Sequence, residues 1–184
     1  MISRKQAFIV IKKYIKDEDY IRKALAVECI LKRMAELLEK EVELWGLSGL
    51  LYNLDYQYSA SSPEQRGVLS AQLLDGLLPE VAVNAIKANN YMHTDYIPIT
   101  SLDKSLIAAV TASDFIIAIV HESESKKIKD INLDDVIVKF NDSNFAARYN
   151  RNRILLCEDV GMQLEFFLNL CLEEMEKISD ELNL

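Results

Sequence analysis

The chain has 184 residues, half of them hydrophobic, which is enough for one domain with a buried core. Five glycines and three prolines are too few for a turn-rich β protein, so we predict an all-α fold with long helices and short connections. The net charge of −8 excludes the broad basic surface that a nucleic-acid backbone requires, and we expect no nucleic-acid partner.

Apolar residues recur at the spacing of one helix face through most of the sequence. In chain order the pattern predicts helices over residues 3–16, 19–39, 41–54, 63–74, 79–90, 102–122, 132–140 and 162–182, with one or two short helices between 141 and 161. The third of these is apolar on both sides after Leu44 and should be buried all round. No linker or internal repeat interrupts the pattern, so we predict a single domain over residues 1–184.

Capping residues mark three of the predicted helix starts. Ser62 is followed by Pro63, a residue favoured at the first helical position. Thr100 with Asp103 resembles a capping box, and Asn132 is a typical N-cap. We therefore expect helices to begin directly after Ser62, Thr100 and Asn132.

Two features of the sequence favour a cytoplasmic protein that does not enter a membrane. Its apolar runs meet charged residues before they reach the roughly 20 residues of a membrane span. Residues 1–5 are not followed by a signal-type apolar region with a cleavage site.

The cysteines and histidines give little support for a metal or nucleophile site. Cys29, Cys157 and Cys171 are odd in number and far apart, which favours reduced core thiols over a disulfide or zinc framework. His93 lies in a predicted loop and His121 at a predicted helix end, and neither has an evident serine or cysteine partner.

Several ordered segments carry a family resemblance. They are KALAVECILKRMAELLEKEVELWGLSGLLYNLDYQYS from Lys23, then PEQRGVLSAQLL, AIKANN, TASDFI and FAARYNRNRILLCEDVG. In order and spacing they resemble the HD-domain superfamily of metal-dependent phosphohydrolases, and within it small stand-alone bacterial HD proteins. The similarity spans roughly residues 20–175 and implies a single-domain HD-like helical bundle.

The sequence departs from that family at its metal ligands. The resemblance places the first ligand histidine at Lys23, the His-Asp doublet at Tyr52-Asn53, and two further histidines at Arg66 and Asn89; only the last ligand, Asp114, is retained. Phenol, amide and cationic groups are poor ligands for a divalent metal ion. Among nearby residues, His93, Asp55 and Glu28 are poorly placed in the helical pattern to replace the lost ligands.

We therefore interpret the chain as a catalytically inactive HD homologue, a pseudoenzyme that binds a ligand or another protein and needs no cofactor. The ligand expected for such a pocket is a phosphorylated small molecule or a nucleotide. The alternative is a metal-dependent phosphohydrolase with an unorthodox site, which would hold a divalent ion such as Mn, Fe, Ni or Zn and act on a nucleotide or small phosphoester. A third reading is that the polar residues satisfy one another in a filled core.

The resemblance also predicts geometry. Lys23, Tyr52, Asn53, Asn89 and Asp114 should meet in the bundle. Lys23 should form a salt bridge with Asp114 of less than about 4 Å, with Asn53 or Asn89 completing the hydrogen bonds. Arg66, at the start of its helix, should then be free for an anion, helped by exposed helix N–H groups.

Two further expectations concern surfaces. The tyrosines near the former metal positions, Tyr52, Tyr56, Tyr58 and Tyr91, could line a pocket or pack at its rim. The final helix has more apolar breadth than one packed face needs, because Phe166 stands beside Phe167, and this indicates a homodimer.

Overall fold

The computed structural model describes residues 1–184 and contains ten α-helices and no β-strand, which confirms the predicted all-α class. The helices are α1 (Arg4–Tyr14), α2 (Glu18–Leu37), α3 (Val42–Leu51), α4 (Val68–Leu74), α5 (Glu80–Ala88), α6 (Ser101–Glu122), α7 (Leu133–Asn141), α8 (Arg151–Ile154), α9 (Leu164–Lys177) and α10 (Ser179–Leu182). Short 3₁₀ segments lie at Pro63–Gln65, Ile128–Asp130 and Leu155–Val160. The helices form one bundle around one continuous hydrophobic core.

Helix α6 is the centre of the bundle and packs against α2, α5, α8 and α9. It begins with the predicted capping box, in which Thr100 Oγ1 accepts from the Asp103 N–H and the Asp103 carboxylate accepts from the Thr100 N–H. By length and composition α6 could cross a membrane, but 72% of its apolar window is buried inside the protein. Its apolar character is therefore explained by its central position in the core.

Helix α3 is buried on all sides, as its sequence predicts, and lies against α2 at a glycine. A Cβ atom added at Gly49 would lie 2.9 Å from the carbonyl oxygen of Val27, so only glycine permits this approach of the two backbones. The same helix places Tyr52 and Asn53 directly after its last residue, in the turn that follows.

The prediction that an α-helix begins directly after Ser62 is wrong. Ser62 makes no side-chain cap, and Pro63–Gln65 form only a 3₁₀ turn. The α-helix begins again at Val68, because Gly67 adopts a left-handed backbone with φ +81° that interrupts the helical path. Arg66 therefore lies in an extended link between the two segments.

Other boundaries follow the sequence closely. The Asn132 cap is confirmed, and Gly161 ends the 155–160 segment in the left-handed conformation. The final helix is divided into α9 and α10 at Ile178, a break that the apolar pattern did not reveal. Cys157 and Cys171 are buried and Cys29 is half-buried, all as free thiols, which confirms the predicted core cysteines.

Candidate functional site

A cavity of about 370 Å³ opens between α2, the turn after α3, the start of α4, the end of α5, α6 and the loop 142–150. Its walls include the six site positions named from the sequence: Lys23, Tyr52, Asn53, Arg66, Asn89 and Asp114. Their convergence in the fold is therefore confirmed, whereas a binding role for them stays a prediction.

Lys23 and Asp114 form the predicted ion pair, with Nζ 2.7 Å from Oδ1. The two side chains are 29% and 20% exposed, so water reaches both. Oδ1 itself is buried and no other donor reaches it, so the Lys23 ammonium is its one close partner. Burial disfavours the ammonium, but attraction to Asp114 outweighs it and raises the pKa of Lys23.

Asn53 is 4% exposed and is bound to the backbone of α2. Its Nδ2 donates to the carbonyl oxygen of Tyr20 at 3.0 Å, which fixes the orientation of the amide. Its Oδ1 is consequently buried with no hydrogen-bond partner. The expectation that Asn53 completes the hydrogen bonds of Asp114 is therefore wrong, because its donor is committed to Tyr20.

Asn89 ends helix α5 and is bound by an arginine from α8. Nη2 of Arg153 donates to both the main-chain oxygen and Oδ1 of Asn89 at 3.0 Å, while Nε donates to Oγ1 of Thr111 at 3.0 Å. Asn89 therefore does not contribute the expected hydrogen bond to Asp114 either. Burial lowers the pKa of Arg153, although attraction to Tyr91 and Asp114 opposes the change.

Tyr52 places a buried phenol beside the ion pair. Burial, followed by repulsion from the Asp114 carboxylate, raises the pKa of Tyr52 well above its ordinary value. The phenol is therefore neutral at physiological pH and can donate or accept a hydrogen bond without adding charge.

Arg66 lies over the ring of Tyr56, with Cζ 4.7 Å from the ring centroid. Its Nε is buried and has no hydrogen-bond partner. The Tyr56 ring in turn packs on Tyr20, with centroids 3.8 Å apart. The cavity wall thus contains a guanidinium that lies on an aromatic pair and has no hydrogen-bond or salt-bridge partner, although Nε itself is covered by neighbouring atoms.

The expected exposed N–H groups beside Arg66 are already occupied. The Asp55 carboxylate accepts from the N–H of Gly67 at 2.7 Å and of Ser70 at 2.9 Å. Ser70 Oγ accepts from the Asp55 N–H at 3.0 Å, which completes the contact. This expectation is wrong because Asp55, although fully buried, supplies an internal anion to the start of α4. Burial raises the pKa of Asp55, against the effect of these hydrogen bonds.

The tyrosine lining differs from the one predicted. Tyr52 and Tyr56 line the cavity, but Tyr58 is 62% exposed on the surface. Tyr91 does not line the cavity. Its ring lies beneath Arg153, with the ring centroid 5.5 Å from the guanidinium carbon. Tyr20 and Tyr149 also line the cavity and were missed.

The cavity is positively charged although the whole chain is acidic. It is lined by Lys23, Arg66, Arg148 and Arg153 against two carboxylates, Asp55 and Asp114. Asp55 is engaged by helix α4 and Asp114 by Lys23. Four cations against two carboxylates leave a formal excess of two positive charges around the cavity.

The residues around Asp114 do not suit a divalent metal ion. The Lys23 ammonium lies 2.7 Å from its Oδ1, and the amide of Asn53 directs its donor to Tyr20. His93, which also lines the cavity, places Nδ1 3.1 Å from Asn90 Oδ1. A cation beside the carboxylate repels a metal ion, and the neighbouring donors are neutral or cationic. The expectation that the protein needs no cofactor stays a prediction.

Glu28, which was considered as a replacement ligand, and His121, which was predicted at a helix end, both lie away from the cavity. Glu28 is 3% exposed and is bound by Arg4 at 2.6 Å and Lys32 at 2.9 Å. His121 lies exposed in the last turn of α6. Neither residue lines the cavity.

The sequence reasoning missed Arg148, Tyr149 and Arg153 as cavity residues. All three fall in FAARYNRNRILLCEDVG, a segment that was recognised by resemblance but given no role in the site. The signal that could have found them is the run of arginines in this otherwise acidic chain.

Comparisons with protein-family models, with curated proteins and with solved structures give no significant match to this chain.

Proposed function

We propose that the protein is a non-catalytic, HD-like module that binds a phosphorylated small molecule or a nucleotide in the 370 Å³ cavity without a metal ion. The observation that carries this proposal is the Arg66 guanidinium, which lines a positively charged cavity and has neither a hydrogen-bond nor a salt-bridge partner in the structure. A phosphate would give this guanidinium the charge-assisted hydrogen bonds that it lacks.

A second lining residue supports a ligand with more than a phosphate group. Asn53 lines the same cavity as Arg66, and its Oδ1 accepts no hydrogen bond, although neighbouring atoms cover that oxygen. A molecule that carries both an anionic group and a hydroxyl or amino group would complement these two side chains. The aromatic pair Tyr20 and Tyr56 offers such a molecule an apolar wall.

The shape of the site favours a small ligand over a protein partner. The cavity is concave and large enough for a compact metabolite, whereas protein interfaces extend over a much wider surface. The Lys23–Asp114 pair argues against the phosphohydrolase alternative, because it neutralises the one retained carboxylate of the resembled metal site.

The test is calorimetric titration of the protein with inorganic pyrophosphate and with adenosine monophosphate, in the presence of EDTA. We expect saturable binding of at least one of them. Arg66→Gln should weaken it about tenfold or more, because one charge-assisted contact is lost. Arg33→Gln is the matched control, since Arg33 is a surface residue that pairs with Glu36. No saturable binding by the wild type at millimolar concentrations would refute the proposal.

A charge variant separates the proposal from the enzyme alternative. In Asp114→Asn the Lys23 ammonium loses its carboxylate partner and becomes available to the anion, so affinity should rise about threefold to tenfold. A metal-dependent phosphohydrolase would instead lose activity in this variant. Turnover that requires added Mn, Fe, Ni or Zn and disappears in Asp114→Asn would favour the enzyme.

A further inference from the structure

The loop 142–150 forms one wall of the cavity and has little regular structure of its own. It contributes Arg148, Tyr149 and Asn150 to the lining. Arg148 donates to the Tyr149 hydroxyl at 2.9 Å and lies over its ring at 4.8 Å. Ala146 has a positive φ of 46°, so the backbone here is held in a conformation that alanine rarely adopts. A side chain from outside the loop binds the Ala146 carbonyl oxygen and helps to stabilise this conformation.

That stabilising group is the side chain of Arg151, which points back into the loop from the first residue of α8. Its guanidinium donates to the carbonyl oxygens of Phe145 at 2.6 Å and of Ala146 and Tyr149 at 2.9 Å. Longer contacts of 3.2–3.5 Å reach the carbonyl oxygens of Asp142, Lys139 and Phe140. One planar group thus binds main-chain oxygens from α7 to the end of the loop.

The guanidinium is fixed in turn by the core. Its Cζ lies 4.6 Å from the ring centroid of Phe115, which is fully buried in α6. The Phe145 ring packs edge-on against the same ring, with centroids 5.4 Å apart. Phe115 follows Asp114 directly in the chain, so the loop is anchored to the helix residue adjacent to the ion pair.

We propose that Arg151 is the positioning residue of the ligand site, which holds Arg148 and Tyr149 at the cavity by binding the carbonyl oxygens of their loop. This inference rests on the proposed function for the ligand, but the hold of Arg151 on the loop is independent of it. Arg151 itself does not touch the ligand, because its donors are taken up by main-chain oxygens.

Lysine cannot replace arginine in this arrangement. An ammonium keeps the charge and a flexible stem but lacks the planar fork that reaches several carbonyl oxygens at once. Arg151→Lys should therefore release the loop while the bundle, which has its own core, stays folded. Arg33→Lys provides the matched exchange at a surface arginine outside the cavity.

The experiment measures hydrogen exchange and pyrophosphate affinity in the same variants. The exchange is measured on the protein without ligand. In Arg151→Lys, the hydrogen-bonded amides of the loop, those of Asp142, Asn144 and Tyr149, should exchange at least about tenfold faster, while the amides of α6 remain protected and report the folded bundle. Pyrophosphate affinity should fall about fivefold or more. Arg148→Gln should lower affinity without changing exchange in the loop, which separates contact from positioning.

Chemical rescue adds a readout that general damage to the fold would not give. In Arg151→Ala, guanidinium chloride at tens of millimolar should restore part of the loop protection and part of the affinity, whereas equal sodium chloride should not. Unchanged loop exchange in Arg151→Lys would overturn the inference, and so would faster exchange with wild-type affinity. Failure of the wild type to bind either pyrophosphate or adenosine monophosphate would refute the proposed ligand, and loop exchange would then decide whether Arg151 holds the loop.

Discussion

The ion pair between Lys23 and Asp114 should be measurable as a coupling free energy. Two unit charges 2.7 Å apart attract by about 6 kcal/mol at an effective dielectric constant of 20, but desolvation of both groups offsets most of this. Both side chains keep partial access to water, at 29% and 20% exposure. The net coupling should therefore lie between that of exposed pairs and that of fully buried pairs, at about 1–2 kcal/mol.

A double-mutant cycle with Lys23→Met and Asp114→Leu tests this value by urea unfolding. Lys23→Met should lower the free energy of unfolding by only about 2 kcal/mol, because Arg153 still attracts the Asp114 carboxylate. Asp114→Leu should cost more, since it leaves the cations of the cavity without their carboxylate partner. The double variant should lose less stability than the sum of the two single losses, because neither charge of the pair is left without its partner.

The pH dependence follows from the direction of the Lys23 shift. The pKa of Lys23 is raised in the folded protein above its ordinary 10.5, so the stabilisation is fully present below that value and is lost as pH rises through the folded pKa. The stability difference between wild type and Lys23→Met should stay constant from about pH 7 to about pH 10 and shrink above that. A coupling free energy below about 0.5 kcal/mol at neutral pH would refute this reasoning. So would a coupling free energy that is present at about pH 9 and absent at about pH 7.

Three further predictions concern the core and the resemblance. Burial raises the pKa of Cys29 and Cys157 to about 12 and that of Cys171 well above its usual value, so a thiol reagent at pH 8 should label none of them in the native protein and all three after denaturation. Gly49→Ala should destabilise by about 1–3 kcal/mol in urea unfolding because its Cβ meets the α2 backbone, whereas Gly46→Ala meets only the flexible Lys32 side chain and should be milder. The combined variant Lys23→His, Tyr52→His, Asn53→Asp and Asn89→His should bind a divalent metal by elemental analysis, and a folded variant without bound metal would contradict the alignment with HD domains.

The sequence predicted which distant residues lie together more accurately than it predicted their hydrogen-bond partners. The family resemblance placed Lys23 and Asp114 at one site, and a buried carboxylate needs a cation, so the two were expected to pair, as they do. Asn53 and Asn89 were assigned to Asp114, but a main-chain carbonyl and Arg153 bind them instead. Amide side chains accept many partners, so spacing along the chain cannot choose among them.

The errors near Arg66 have a tertiary cause. Ser62 and Pro63 are a strong helix-start signal, yet the helix begins only after Gly67. The decisive contact comes from Asp55, whose carboxylate binds the N–H groups of Gly67 and Ser70. Asp55 lies 12 positions before Gly67, so its contact is tertiary, and propensity rules for adjacent residues do not include it.

The cavity walls come from segments that are spread from α2 to α8, and this has a practical consequence for finding the ligand. Any molecule that binds the folded cavity, but not the unfolded chain, raises the unfolding temperature by mass action. At a hundred times its dissociation constant the gain is about 2.7 kcal/mol, or about 5–10 °C for a chain of this size. A melting screen of phosphorylated metabolites would therefore identify binders without any assay of turnover, and loss of the shift in Arg66→Gln would assign each one to this cavity.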